Sequence, residues 1–327
     1  MDQLPVPAKD YKVLVRCFTF NHSKYIEDAL NGFVMQQTDF PFVCLIVDDA
    51  STDGEQQIIK AFLNKECDMF KAQYYDTESA EVIIANHSTN RQCAIVVFFL
   101  KENHYSIKRT KRPYVNLWRD HCKYEALCEG DDYWIDVKKL QKQVDFLECN
   151  LDYSMCFHRA EIIKEIDIKC PLKCNDIEDR EYNPNELFEE WKVPTASILM
   201  RYDVQHVVNV GIERVLNGDI RTVLNCAKMG KIRGMSDVMS AYRVHNTGVT
   251  YSKEINDIRL FRYPHHYEFI KDNYPFLDHK IVNYKIARAY LSRRKIQHSV
   301  SGYFADVYKA ISCYPLIVFD KILRWLK

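Results

Sequence analysis

The constraint that weighs most on the fold is a rhythm in the first half of the chain. Short uninterrupted apolar runs alternate there with segments whose apolar residues recur at helical spacing. Lys12–Phe18 (KVLVRCF) reads as a buried strand, and Ile26, Leu30, Phe33 and Val34 then mark an amphipathic helix over about residues 23–36. Phe42–Val47 (FVCLIV) is a second strand that runs straight into Asp48-Asp49. Thr52 and Glu55 read as a capping box for a helix whose inner face is Ile58, Ile59, Phe62 and Leu63. Strand, helix, strand, helix at this pace opens a parallel, doubly wound α/β sheet.

The pattern blurs from Cys67 to Gln92 and resumes with a strand at Ala94–Leu100 (AIVVFFL). A basic stretch, Lys108-Arg109-Thr110-Lys111-Arg112, leads into a helix ending near His121. Lys123–Cys128 is a strand that runs into Glu129-Gly130-Asp131-Asp132-Tyr133-Trp134. Asp136 is the expected N-cap of a helix that buries Val137, Leu140, Val144 and Leu147. Strands are expected near Ser154–His158 and over Thr195–Met200. Asp176–Arg180 reads as an acidic, solvated linker, and Pro184 opens a short helix through Trp191. Gly218-Asp219 heads an apolar helix, and from about Ile255 onward the chain looks helical.

Composition removes whole classes of function. Forty-five Lys+Arg balance 45 Asp+Glu, so no net field draws the chain to nucleic acid. Only nine glycines occur, and none builds a G-x-G-x-x-G, a Walker A loop or a G-x-S-x-G. Rossmann dinucleotide binding, P-loop hydrolysis and nucleophile-elbow hydrolysis therefore lose their main support. A phosphate held by this chain must be neutralised by something other than a glycine cradle. The first twenty residues hold no apolar core of signal-peptide length, and no run approaches the ~20 residues of a membrane span. Twelve cysteines in that setting read as reduced, mostly buried thiols of a cytoplasmic protein. Cys170 and Cys174 offer only two of the four ligands a structural zinc needs.

Two acidic pairs, Asp48-Asp49 and Asp131-Asp132, fall at the C-terminal ends of expected parallel strands, where open α/β sheets bind ligands. Either pair alone also suits a turn or a helix cap. Two pairs on one sheet edge favour a hard divalent cation, Mg²⁺ or Mn²⁺, shared with substrate phosphates.

In their order, VLVRCFTFNHSKYIEDAL, LIVDDASTDG, ALCEGDDYW with KLQKQVDFLE, and YRVHNTGVTYS resemble glycosyltransferase family 2 over roughly Tyr11–Ser252. Cys67–Gln92 departs from the family pattern. The resemblance implies an inverting enzyme of the GT-A fold, similar to bacterial enzymes that build surface polysaccharides. It also implies a GT-A domain over 1–254, with a nucleotide-sugar-binding half to residue 135 and an acceptor-side half from 136. A helical extension over 255–327 would follow. By the same resemblance Phe18, Phe20, Asp48 and Asp49 would hold the base and ribose, although Phe20 lacks the hydroxyl of the tyrosine common in the family. Asp131 would contact ribose or donor sugar, Asp132 would coordinate Mg²⁺ or Mn²⁺, and Lys108 and Arg109 would lie near the nucleotide. His245 would reach the metal or the diphosphate, ahead of a mobile Asn246-Thr247-Gly248 loop. Trp134 suits pocket or core equally. Asp219 is the expected catalytic base, with Glu213 the next carboxylate to test. The expected partners are a UDP-sugar donor and a saccharide or lipid-linked acceptor.

Related pyrophosphorylases carry a glycine-rich N-terminal loop, whereas Leu14–Asn21 holds no glycine. A catalytically silent relative would be favoured by loss of Asp132 or Asp219, and both are present. Asp132 is expected outside the core, so that Asp132→Ala would spare the fold. Leu316, Phe319, Leu323 and Leu326 align opposite Lys321, Arg324 and Lys327, a pattern that suits either a helix docked on the catalytic domain or peripheral contact with the inner face of the cytoplasmic membrane.

Overall fold

A computed structural model describes residues 4–166, 172–245, 253–296 and 299–318. The chain divides into two compact units: residues 1–182, 192–205 and 229–243, and residues 183–191, 206–228 and 244–327.

The first unit is a mixed α/β structure around a large sheet. Its elements are β1 (Tyr11–Thr19), α1 (Ile26–Val34), β2 (Phe42–Asp48), α2 (Glu55–Glu66), β3 (Gln73–Asp76), β4 (Ala80–Asn86), β5 (Cys93–Leu100) and α3 (Arg112–Arg119). There follow β6 (Cys122–Leu127), β7 (Tyr133–Trp134), α4 (Lys139–Cys149), β8 (Tyr153–Lys164), β9 (Leu199–Arg201) and β10 (Lys231–Val244). The strand order is β3-β4-β5-β2-β1-β6-β9-β8-β10-β7. The centre, β5-β2-β1-β6, is parallel, and antiparallel strands extend it on both sides.

That centre is buried on both faces, which is why its strands read as unbroken apolar runs. Along β2, Cys44 and Ile46 face one core with Leu30 and Phe33 of α1, Ile59 and Phe62 of α2, and Leu140 and Val144 of α4. Val43, Leu45 and Val47 face the other with Tyr114, Val115 and Trp118 of α3. The doubly wound expectation is met here.

Local expectations need correction in four places. Helix α2 is capped by Gly54 in the left-handed region (φ 95°), not by a Thr52–Glu55 box, and Glu55 turns inward instead. Helix α4 starts at Lys139, and Val137 before it is exposed. Asp136, three residues ahead of the helix, accepts from the Lys138 N–H (2.8 Å). Over Thr195–Met200 a 3₁₀ turn, Thr195–Ser197, comes first, because the Ser197 hydroxyl and N–H both donate to the Pro194 carbonyl (2.7 and 3.0 Å). Only Leu199–Arg201 joins the sheet. Residues 67–92, unreadable in sequence, contain the antiparallel hairpin β3–β4.

The second unit comprises α5 (Pro184–Glu189), α6 (Gly218–Met229), α7 (Lys253–Asn273), α8 (His279–Arg293) and α9 (Val300–Cys313). Ile220 and Leu224 of α6, Phe269 and Ile270 of α7, Val282, Ile286 and Tyr290 of α8, and Ala310 of α9 form its core. Side-chain caps start three of these helices: Asn183, Asp278 and Ser299 each accept from a backbone N–H two or three residues ahead. Among the described residues no helix is long and apolar enough to cross a membrane. Nine described cysteines are buried and Cys149 is exposed. Burial pushes the Cys17, Cys44 and Cys128 thiols well up. Cys170, Asn246-Thr247-Gly248 and the segment from Phe319 to Lys327 lie outside the described residues.

Candidate functional site

Strand β1 pairs with β2 on one side and β6 on the other, so the crevice of the parallel sheet opens at its C-terminal end. Both acidic pairs are tied to that end from opposite sides. The Asp49 N–H donates to the Thr19 carbonyl (3.0 Å), and the Gly130 N–H donates to the Phe18 carbonyl (3.1 Å). Glycine is required at 130, since a Cβ there would lie 2.1 Å from Thr19 Oγ1. Asn21 and Ala50, in the loops after β1 and β2, take positive φ (56° and 61°), a strained conformation for alanine.

The two carboxylates of the first pair have different tasks. Asp48 is fully buried. Its Oδ2 accepts from Gln56 Nε2 (2.5 Å) and the Ser51 N–H (3.3 Å), whereas Oδ1 has no partner among the described residues. Burial raises its pKa above the usual carboxylate range, the Ser51 and Gln56 hydrogen bonds notwithstanding. Asp49 is engaged by its own chain: the His104 and Tyr105 N–H groups donate to its two oxygens (2.7 and 3.1 Å), and Lys111 pairs with it at 2.7 Å.

Lys111 also lies 5.6 Å from the Phe18 ring, and Arg16 covers that ring at 4.6 Å. Lys111, one residue of the basic stretch, is thus the cation that this stretch brings to the sheet edge. Lys108 is exposed, in the left-handed region (φ 56°), and Arg109 is a surface residue 3.5 Å from Glu102. Phe20 is 42% exposed in the loop beyond β1. Beside Asp48 a cleft of about 860 Å³ opens between the start of α2 and the β3–β4 hairpin, lined by Ser51, Thr52, Gln56, Tyr74, Tyr75 and Phe99.

Glu55 joins the two loops. Buried at the head of α2, it accepts from the Thr19 hydroxyl, the His22 N–H (2.8 Å) and the Ser51 hydroxyl (2.8 Å). His22 Nε2 in turn lies 3.8 Å from Asp131 Oδ2. Only 4% of Asp132 is exposed, and its Oδ1 accepts the Arg243 N–H at 2.9 Å. The expectation that Asp132→Ala would spare the fold is therefore corrected: this carboxylate pins β10 to the acidic loop. Arg243 also donates to the Asp131 carbonyl (2.9 Å) and to Asp28, and covers the Tyr133 ring at 4.4 Å. Arg243 lies in the YRVHNTGVTYS motif, but nothing in the sequence links it to Asp132, 111 residues away.

Burial, then repulsion from Asp131, raises the Asp132 pKa; burial also pushes Glu129 up to about 7 against the pull of Arg16. Glu129, Asp131 and Asp132 thus form a patch of carboxylates that repel one another. Among the described residues no three His, Cys, Asp or Glu side chains form a ready metal cage. Trp134 belongs to the core: it is buried, its Nε1 donates to the Ala196 carbonyl (2.8 Å), and its ring meets Phe33 edge-on.

Asp219 and His245 belong to the second unit. Asp219 stands in the first turn of α6, where its Oδ1 accepts the Ile220 N–H (2.8 Å). Burial raises its pKa, opposed by that hydrogen bond and by Arg259. His245 is buried just past β10, and Glu213 is exposed in a 3₁₀ turn.

The model of the family described as Glycosyl transferase family 2 matches residues 17–91. The chain carries a glycosyltransferase family 2 segment. That segment holds the last residues of β1, α1, the first acidic pair and the hairpin, so the match includes most of the 67–92 stretch that the motifs alone left outside the family. Uncharacterized proteins of Mycobacterium tuberculosis and Mycobacterium bovis are 27% identical over 242 residues, 72% of this chain; the chain spans 59% of their length. Among solved structures, S. aureus TarS 1-349 in complex with UDP superposes with a TM-score of 0.58 at 15% identity, over 94% of this chain and 82% of that one. Mannosyltransferase PcManGT from Pyrobaculum calidifontis, in complex with GDP-Man and Mn²⁺, gives 0.51 at 15%, over 97% and 90%. These likenesses fix the fold around the family 2 segment.

Proposed function

We propose that the chain transfers a sugar, with inversion, from a nucleotide-diphosphate sugar to a saccharide or lipid-linked acceptor. The observation that carries this reading is the pair of acidic loops bound to either side of the β1 end within and beyond the family 2 segment. TarS, whose solved forms hold UDP and UDP-GlcNAc, and PcManGT with GDP-Man support a nucleotide-sugar donor, and uridine is the first base to test.

Asp48 Oδ1, buried and unpartnered, is an acceptor for a base N–H or a ribose hydroxyl, with Phe18 and Phe20 beside the base. Asp49 with Lys111 stiffens the loop that carries Lys108 and Arg109 toward the diphosphate. Mutual repulsion among Glu129, Asp131 and Asp132 fits a divalent cation, which Asp132 would hold together with phosphate oxygens of the donor. Mg²⁺ or Mn²⁺ bound there would stabilise negative charge on the departing diphosphate. Asp131 would orient the ribose or the donor sugar.

Asp219 would take the proton of the acceptor hydroxyl as the anomeric carbon is attacked; burial makes its carboxylate more basic than an exposed one. Asp219→Asn keeps size and an acceptor for the Ile220 N–H. As base, its loss lowers kcat by roughly 10²–10⁴ with donor binding retained. A near-wild-type kcat would remove Asp219 from the mechanism. Release of nucleoside diphosphate only when acceptor is added separates transfer from hydrolysis.

A further inference from the structure

His22, in the loop between β1 and α1, is fixed by its backbone and by one ring nitrogen. Its N–H donates to Glu55 (2.8 Å), and its carbonyl accepts from the Tyr25 and Ile26 N–H groups (2.8 and 2.9 Å). Its Nδ1 lies 3.1 Å from Thr19 Oγ1. The acidic loop comes up against the same ring, since a Cβ on Gly130 would lie 3.1 Å from that nitrogen.

These contacts set the tautomer of the imidazole. The Thr19 hydroxyl donates its one proton to Glu55, so its oxygen accepts from His22 Nδ1–H. In the neutral ring Nε2 then carries the lone pair, and it faces Asp131 Oδ2 at 3.8 Å. That separation is too long for a hydrogen bond. Two acceptors set face to face repel unless a positive charge lies between them. Atoms that share one divalent ion at ~2.1 Å from each stand about 3–4 Å apart. The two side chains are 17% and 23% exposed, so an ion can reach both.

We infer that His22 Nε2 and Asp131 Oδ2 are ligands of the divalent cation at the acidic loop. This rests on the cation proposed for the transferase and adds two ligand atoms to the one assigned to Asp132. The three side chains make no ready cage, which leaves coordination positions to water and to the phosphate oxygens of the donor. A nitrogen ligand also ranks the metals, favouring Mn²⁺ over the harder Mg²⁺. The competing arrangement is a protonated His22 that pairs with Asp131 and closes the place to metal.

The test is pulsed electron paramagnetic resonance of Mn²⁺ titrated into the full chain, with and without UDP. The echo of bound Mn²⁺ is expected to carry the modulation of a directly coordinated imidazole nitrogen. His22→Gln keeps a side-chain N–H for Thr19 and has no imidazole. It should abolish the modulation and weaken Mn²⁺ binding about tenfold or more, with the thermal midpoint of the metal-free chain unchanged. It should also narrow the preference for Mn²⁺ over Mg²⁺, a change that a merely structural histidine would not produce. Bound Mn²⁺ without nitrogen modulation, or modulation that survives His22→Gln, overturns the inference and leaves the cation at Asp132 standing. Absence of Mn²⁺ binding even with UDP overturns both.

Discussion

Lys111 and Arg109 stand two residues apart and differ in what their loss should do. Lys111 compensates a buried carboxylate, that of Asp49, at 2.7 Å, whereas Arg109 meets Glu102 at 3.5 Å on the surface. Lys111→Met should cost about 3–5 kcal/mol by leaving Asp49 uncompensated. Arg109→Ala should stay within about 0.5 kcal/mol in urea unfolding. Equal effects would mean that Asp49 finds another partner. Lys139 gives a second prediction. It is fully buried against Trp134 (4.1 Å), its hydrogen-bond partner among the described residues is the neutral Gln143 (2.7 Å), and burial lowers its pKa to about 7. The folded state thus binds the proton less tightly than the unfolded chain. The burial penalty is complete below pH 7 and fades as pH rises toward the unfolded value near 10.5. The stability of Lys139→Met relative to the native chain should therefore fall by about 2–3 kcal/mol between pH 6 and pH 9 in denaturant titrations. A pH-independent difference would show that Lys139 titrates normally.

Between elements, the candidate site is held by groups that bridge loops. Glu55 at the head of α2 ties the β1–α1 loop to the β2–α2 loop through Thr19, His22 and Ser51. Glu55→Ala leaves those donors to water or to nothing and should cost about 2–3 kcal/mol, read as a lower denaturation midpoint. An unchanged midpoint would show that Thr19 and His22 are satisfied otherwise. Elements whose packing is local were legible in the sequence: β1, β2 and β5 are two-sided core strands, and α1 and α2 have clean apolar faces. Both acidic pairs were legible because they follow such strands. β3 was not, since QYYD is exposed throughout and has no apolar period. Glu55 was read as a helix cap because its pattern suits one, and only the tertiary fold turns it inward. Lys111 and Arg243 escaped notice for a related reason: their partners are far away in sequence, and a cation in a polar run carries no mark of the carboxylate it will meet.

For the molecule as a whole, ligand binding and folding are linked. A nucleotide-diphosphate sugar with Mn²⁺ at about a hundredfold its Kd should stabilise the folded chain by about 2.7 kcal/mol. A raised melting temperature reports that gain, and its disappearance with EDTA reports the metal. A shift identical with and without EDTA would remove the cation from donor binding. The cysteines offer a different handle. Nine lie in the interior, where thiolates are scarce, and Cys149 at the end of α4 is the exposed thiol among the described residues. Brief treatment with a maleimide dye at neutral pH should mark Cys149 first. That would turn one surface sulfur into a reporter for following donor binding by fluorescence without redesigning the chain.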